Sequence, residues 1–148
     1  MYHTILVPLD GSKRAEAILP HVQDLAGRYG ATVAFLCVVE PVPFTVGYEA
    51  SYVALREEFE RRTQEAESYL AGLQGAFQEK GIQARTRVVS GPVVDAIIKA
   101  AEREGADLIA LASHGRSGLS QVFYGSVAAG VLHRIDRPLL LIRSRGND

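Results

Sequence analysis

Short apolar runs separated by longer amphipathic stretches are the main pattern along this chain. The runs "TILVPLD", "ATVAFLCVVE" and "DLIALAS" are rich in β-branched and other apolar residues, which predicts strands buried on both faces of a sheet. The run "LLLIR" predicts a last strand. In "IQARTRVVS", Ile82, Ala84, Thr86 and Val88 alternate with more polar residues, so this strand has one wet face and is expected at a sheet edge.

Amphipathic stretches between these strands predict helices. In the first, Ser12 is a candidate N-cap and Gly30 a candidate stop. A kink is expected at Pro20, because a mid-helix proline typically costs about 3 kcal/mol or bends the axis. The second stretch is the most regular; its apolar stripe begins at Tyr52, and Gly81 ends it. The predicted helices lie within 11–30, 51–81, 91–105 and about 125–134.

Strands and helices alternate along the whole chain, without a tight hairpin. This order predicts parallel strands joined by helical crossovers, in one domain that covers residues 1–148. Right-handed crossovers on both faces require a reversal in the strand order, and with the apolar strands 1, 2 and 4 in the middle that order is 3-2-1-4-5. We therefore expect an open, doubly wound α/β fold: a five-stranded parallel sheet with helices on both faces. Ligands in such folds bind beyond the carboxyl ends of the strands at the reversal, where "PLDGS" and "ASHGRSG" would meet.

Composition narrows the functional classes. Sixteen basic and seventeen acidic residues nearly balance, without a block of like charge, so a nucleic-acid partner is not expected. No apolar run approaches the roughly 18 residues of a membrane helix, and the N-terminal segment lacks a signal-peptide core, so we expect a cytoplasmic protein without a membrane partner. The single cysteine, Cys37, is expected to be a buried, inert thiol. His3, His21 and His133 lack metal-ligand spacing, so a metal site built by the protein is not expected.

Residues 111–132, "LASHGRSGLSQVFYGSVAAGVL", combine glycines and serines with a histidine and an arginine after a buried strand. Glycines let a phosphate approach backbone N–H groups, and a helix N-terminus presents such groups unpaired. Gly115 follows the strand, Gly125 and Ser126 open the last helix, and Arg116 is placed to shield phosphate charge. The same residues also fit ordinary turn chemistry and a common helix start, and the spacing alone leaves both interpretations open.

Three segments carry a resemblance to a known family. "ILVPLDGS", "ASHGRSGLSQVFYGSV" and "RPLLLIRS" together resemble the universal stress protein family, specifically its ATP-binding branch. The fingerprint of that branch is a glycine, two residues, a second glycine, nine residues, and then glycine followed by serine or threonine. This chain has Ala112, two residues, Gly115, nine residues and Gly125-Ser126, so it departs from the pattern at Ala112. The added methyl group is small, and we expect the site to survive, with affinity reduced where the methyl crowds the ribose.

The resemblance implies a binding site for ATP, with Mg²⁺ carried in by the phosphates. It places Pro8, Leu9 and Asp10 at the adenosine end, with the Asp10 carboxylate near the ribose hydroxyls. The backbone around Val38 would meet the adenine edge. The residues implied around the ribose and phosphates are Ala112, His114, Gly115, Arg116, Gly125, Ser126 and Val127. Asp10 fits the cap of the first helix equally well, and His114 also fits a turn residue that bonds the backbone.

The resemblance favours a nucleotide-dependent stress-response or signalling module with little or no turnover. No catalytic residue is assigned, because no nucleophile accompanies His114 and neither a P-loop with lysine nor a G-x-S-x-G elbow is present. Ser113 and Ser117 are interpreted as polar loop residues. Two alternatives stay open: a slow ATP hydrolase, at most weakly active, that uses the same site, and a dimeric interaction protein that binds no nucleotide. In each case a homodimer through the C-terminal strand, residues 139–143, is expected, because this apolar edge lacks protection and such strands commonly meet across a two-fold axis in the family.

Overall fold

The structure is a computed structural model that describes residues 1–41, 52–114 and 125–144, apart from the side chain of His114. The strands are β1 Thr4–Pro8, β2 Thr32–Val39, β3 Ala84–Ser90, β4 Leu108–His114 and β5 Leu139–Ser144. The helices are α1 Leu19–Tyr29, α2 Tyr52–Glu79, α3 Val93–Glu104 and α4 Ser126–Arg134, and a 3₁₀ helix, Ala15–Ile18, precedes α1. All strands are parallel and form one sheet in the order β3-β2-β1-β4-β5, which confirms the predicted strand order.

Successive residues of the central strands point to opposite faces of the sheet, and each face carries its own core. One core packs Val7 of β1 against α1 and α2, where Leu70 is fully buried. The other packs Leu6 against α3 and α4, where Ile97 and Val131 are fully buried. Helices therefore cover both faces, as predicted, and this is why the central strands are apolar at consecutive positions.

The segment after β1 differs from the single kinked helix that the sequence predicts. The Ser12 hydroxyl oxygen accepts a hydrogen bond from the N–H of Ala15 at 3.1 Å, as a cap does, but the helix that follows is the 3₁₀ helix. Pro20 lies in the first turn of α1 rather than in a helix interior. Since first-turn N–H groups have no partner within the helix, a proline costs little there, and the expected kink is replaced by a change from 3₁₀ to α geometry. Gly30 ends α1 with a φ of 64°, as predicted.

The apolar stripe of α2 reaches the core only in the second half of the helix. Leu70 and Phe77 are buried, and the rings of Phe77 and Phe35 are nearly perpendicular, with their centroids 5.0 Å apart. Tyr52 is 84% exposed, so the prediction that the stripe begins at Tyr52 is wrong. The contacts of α2 with the buried core begin at Ala66, whereas Leu55 and Phe59 in the first half of the helix are half-buried.

The strands β3 and β5 form the two edges of the sheet. Arg85 and Arg87 lie on the wet face of β3 and both pair with the Glu104 carboxylate of α3, at 3.2 and 2.9 Å. The strand order confirms the predicted edge position of β3, although Thr86, which the alternation places on the apolar face, is exposed as well. Within the described ranges, no helix is both long and apolar enough to span a bilayer.

Candidate functional site

A cavity of about 260 Å³ lies at the carboxyl ends of β1, β2 and β4, where the strand order reverses between β1 and β4. The turn after β1 and the beginnings of α3 and α4 form its sides. The described residues that line it are Pro8, Leu9, Asp10, Arg14, Ala15, Leu36, Val38, Glu40, Val93, Ile97, Leu111, Ala112, Ser113, Gly125, Ser126, Val127 and Ala128. This is the position at which doubly wound folds bind their ligands.

Asp10 lies in the turn after β1 and has a local structural role. Its Oδ1 accepts hydrogen bonds from the backbone N–H of Ser12 at 2.9 Å and from the Ser12 hydroxyl at 2.6 Å. Gly11, between them, has a φ of 85°, which a residue with a side chain rarely adopts. Both bonds use Oδ1, and Oδ2 accepts none from the residues that the structure describes, so one oxygen of Asp10 is available to a ligand hydroxyl.

Gly125 directly precedes α4 and borders the cavity. Its φ of 83° and ψ of 150° again favour glycine. The N–H groups in the first turn of α4 have no partner within the helix and carry the positive end of the helix dipole. In the described part of the chain, no side chain caps them. Ser126 and Val127 belong to this first turn and border the cavity, so this end of the cavity favours an anion.

Ala112 and Ser113 lie where β4 reaches the cavity. Ala112 borders the cavity, and its side chain packs against the core on the α1 and α2 face. Ser113 is 3% exposed, and its hydroxyl donates to the Ile142 carbonyl of β5 at 3.4 Å. The interpretation of Ser113 as a loop residue is therefore wrong, because pairing with β5 continues as far as His114. Ser117 lies outside the described residues.

A second cavity of about 360 Å³ adjoins the first, between β2 and α2. Both cavities are bordered by Leu9, Asp10, Val38 and Glu40. Cys37 lines the second one, and burial, followed by the negative charge of Asp10, raises the pKa of its thiol to about 11. The thiol is therefore protonated at neutral pH, as an inert cysteine requires. Tyr69 lines the same cavity; burial, followed by a hydrogen bond that its hydroxyl donates to Glu16, raises its pKa.

The structure brings most of the predicted site residues to one cavity. These are Pro8, Leu9, Asp10, Val38, Ala112, Gly125, Ser126 and Val127. His114 is the last residue of β4, and its side chain lies outside the described part. Gly115 and Arg116 also lie outside it, as does the predicted loop after Pro41.

Sequence reasoning missed several residues that line the cavity. Val93 and Ile97 come from the beginning of α3, and the amphipathic pattern of that stretch predicted a helix without indicating a role at the site. Arg14 and Glu40 add one positive and one negative side chain. Glu40 directly follows β2 at the carboxyl edge of the sheet, which was a usable indication. Arg14 had none, since the packing of the 3₁₀ helix decides which way the residue before that helix faces.

Curated proteins of similar sequence match this chain over nearly its whole length. The universal stress protein MJ0577 of Methanocaldococcus jannaschii is 26% identical in an alignment of 159 positions that covers 99% of this chain and 98% of that protein. The universal stress protein YxiE of Bacillus subtilis is 30% identical over 148 residues, which cover 97% of this chain and 100% of YxiE.

Solved structures agree with this relationship. The structure of MJ0577 superposes with a TM-score of 0.84 at 29% identity and covers 100% of this chain and 99% of that one. A universal stress protein from Archaeoglobus fulgidus in complex with dAMP superposes with a TM-score of 0.62 at 19% identity, covers 95% of this chain and 98% of that one, and shows the shared fold. Residues 1–143 match the universal stress protein family, and the chain therefore belongs to that family.

Proposed function

We propose that the protein binds ATP and acts as a nucleotide-dependent module in stress response or signalling, with little or no turnover. One observation carries the proposal: the start of α4 and the Oδ2 oxygen of Asp10 border the same cavity, and neither is bonded by a side chain that the structure describes. Helix N–H groups suit phosphate oxygens, and a carboxylate suits ribose hydroxyls. The Archaeoglobus fulgidus protein that holds dAMP shows that the fold is shared, and the proposal is supported by the cavity of this chain.

The proposed orientation follows from the two chemically different ends of the cavity. Adenine lies at the β2 end, against the backbone around Val38. The ribose lies beside Asp10, whose Oδ2 accepts from its hydroxyls. The phosphates lie at the α4 end, where the N–H groups of the first turn and the Ser126 hydroxyl donate to them, and where Gly125 has no side chain to block their approach. The adjoining second cavity gives the adenosine further room beside Val38.

Mg²⁺ is expected to enter with the phosphates. Over the described ranges, no three His, Cys, Asp or Glu side chains are grouped as a protein-built metal site requires. The ligands of the ion would therefore be phosphate oxygens and water, which is how Mg²⁺ commonly binds with nucleotides. Its contribution would be to neutralise part of the phosphate charge, while the residues of the cavity bind and orient the nucleotide.

We also propose that two copies pair through β5. This strand lies at the edge of the sheet, and Leu139 to Ile142 are half-buried, whereas the corresponding residues of β1 and β4 are mostly buried. An apolar edge with unpaired backbone groups is normally covered or charged in a stable protein. A second β5 supplies both the backbone partners and the apolar cover.

Thermal unfolding with ATP, ADP, AMP and GTP, each with and without Mg²⁺, tests the nucleotide proposal. A ligand at about 100 times its Kd adds roughly 2.7 kcal/mol, which raises the Tm of a domain of this size by several degrees. We expect such a shift with ATP, and a smaller one in Ser126→Ala. Ser90→Ala, an exposed serine at the end of β3, is the matched control and should shift like the wild type.

The nucleotide recovered from the complex separates the alternatives. ATP recovered unchanged after long incubation supports the binding module, whereas ADP released over many turnovers supports a slow hydrolase. No shift with any nucleotide contradicts the proposal and favours the dimeric interaction protein.

A further inference from the structure

Arg14 is a half-buried arginine that borders the candidate nucleotide cavity. Its guanidinium makes no hydrogen bond or ion pair with a described residue. Arg137 is the other half-buried arginine in the described part of the chain, and its guanidinium has protein partners at Nε and Nη1. It donates to the carbonyls of Ala101 and Ala106 at 2.9 Å each and pairs with Asp136. Among the residues that the structure describes, Arg14 is therefore the one half-buried arginine whose guanidinium has no described partner, and it lies at the cavity.

This state of Arg14 is unusual in physical terms. A guanidinium has five N–H donors and stays charged throughout the physiological pH range, and partial burial removes some of its water. Folded proteins usually compensate such a group with a carboxylate or a carbonyl. Asp10 and Glu40 border the same cavity, yet neither pairs with Arg14. A charged donor is thus left available to an anion that enters the cavity.

The position of Arg14 assigns it to one end of the cavity. The 3₁₀ helix that begins at the next residue, Ala15, packs against β4 and β5. Arg14 therefore lies on the β4 side of β1, towards the end where Gly125 and Ser126 begin α4. Val38 lies on β2, on the other side of β1. In the proposed orientation of the nucleotide, Arg14 is at the phosphate end.

We infer that Arg14 binds the phosphate groups of the nucleotide across the cavity from the first turn of α4, and that it selects ligands by their number of phosphates. The inference rests on the proposed function and adds a residue and a selectivity to it. A guanidinium donates two parallel hydrogen bonds to phosphate oxygens, and these are stronger than bonds from neutral donors. Affinity therefore rises from adenosine through AMP and ADP to ATP, and Arg14 accounts for much of that rise.

Calorimetric titration of the full chain with adenosine and with ATP, at one ionic strength, tests this role. Arg14→Gln removes the charge and should raise the Kd for ATP about tenfold or more, while the Kd for adenosine changes less than about twofold. Arg14→Lys keeps the charge but cannot donate two parallel hydrogen bonds. Its Kd for ATP should therefore lie between those of the wild type and Arg14→Gln. Lys13→Gln is the matched control: it removes the same charge from an exposed neighbour that does not border the cavity, and should leave both Kd values within about twofold.

The possible results separate this inference from the function on which it rests. Equal losses of ATP affinity in Arg14→Gln and Lys13→Gln overturn the phosphate contact and leave the proposed function standing. If Arg14→Gln loses as much affinity for adenosine as for ATP, the phosphate contact is also overturned and the proposed function stands, because Arg14 then contacts the nucleoside. A wild-type chain that binds neither ligand overturns the proposed function, and the inference with it. The Tm of each variant without ligand shows whether it is folded. If Arg14→Gln is unfolded, Arg14→Met, which keeps the aliphatic part of the side chain, is titrated in its place.

Discussion

Asp10 and Ser12 form a hydrogen-bonded unit at the edge of the cavity, in which a single carboxylate oxygen, Oδ1 of Asp10, accepts from both the backbone N–H and the hydroxyl of Ser12. The Ser12 oxygen in turn accepts from the N–H of Ala15, at the start of the 3₁₀ helix. This structural role occupies one oxygen of Asp10 and leaves the other available. A capping role and a ligand role for Asp10 are therefore compatible, and substitutions can separate them.

Replacing Asp10 with asparagine should affect the ligand role alone. Asparagine keeps the Oδ1 acceptor for Ser12, so the free energy of unfolding of the unligated protein should change by less than about 0.5 kcal/mol. Affinity for ATP should fall about tenfold, because the ribose hydroxyls lose a charged acceptor. Asp10→Ala should in addition lower the free energy of unfolding by about 1 kcal/mol. Urea unfolding and calorimetric titration measure the two quantities, and unchanged ATP affinity in Asp10→Asn would show that Asp10 is a cap alone.

The strand order was predictable because the exposure of each strand is visible in its own residues. A strand covered on both faces, such as β1, is apolar at consecutive positions, whereas Arg85 and Arg87 on β3 require one wet face. Gly30 and Gly81 marked helix ends for an equally local reason, since their φ values are 64° and 79°. The kink predicted at Pro20 was wrong, because the sequence alone does not show whether a proline lies in the first turn of a helix or in its interior.

The site was predictable only in part, because some of its residues are positioned by packing between elements. Asp10 and Gly125 carry local indications, an acceptor in a turn and a glycine before a helix. Arg14 carries none, since its place at the cavity depends on how the 3₁₀ helix packs against β4 and β5. Ser113 was misread for a similar reason: pairing with β5, rather than the hydropathy of β4, decides where the strand ends.

Cys37 should make the protein less stable at alkaline pH. Burial, followed by the charge of Asp10, raises the thiol pKa from its ordinary value of 9.0 to about 11. Between these pH values the unfolded chain loses a proton that the folded chain keeps. The contribution of Cys37 to the free energy of unfolding is therefore fully present below pH 9.0 and is lost as the pH rises through about 11, by about 3 kcal/mol at most.

Urea unfolding of the wild type and of Cys37→Ala, from about pH 8 to about pH 10.5, measures this dependence. The variant starts from a lower free energy of unfolding because a buried side chain is shortened, so the slope against pH is the relevant quantity. The slope should be shallower in Cys37→Ala. Parallel profiles would contradict the raised pKa.

Gly130 of α4 lies so close to Val94 of α3 that a side chain has no room. A Cβ at Gly130 would lie 2.7 Å from Cγ2 of Val94, whose β-branched side chain has little freedom to move. Alanine gains about 1 kcal/mol of helix propensity over glycine, but overpacking typically costs 1–3 kcal/mol, so Gly130→Ala should lower the free energy of unfolding by about 1 kcal/mol.

Gly72→Ala in α2 is the matched control for Gly130→Ala, since a Cβ there meets nothing within 4 Å. Urea unfolding should show it stabilised by about 0.5–1 kcal/mol. Combining Gly130→Ala with Val94→Ala should remove most of the steric cost, which a double-mutant cycle detects. Gly130→Ala and Gly72→Ala variants of equal stability would mean that the close contact between α3 and α4 is absent.

Lysine in place of both Leu140 and Ile142 should convert the proposed dimer into monomers. Both residues are half-buried on β5, and charges there would repel across a two-fold axis and lose their water on pairing. The wild type should sediment as a dimer at micromolar concentration and the double variant as a monomer, with far-UV circular dichroism as the check of folding.

Thr86→Lys places a charge on β3, at the opposite edge, and should leave the dimer intact because that edge takes no part in the proposed pairing. A monomeric wild type, or a folded double variant that remains dimeric, would refute the β5 interface.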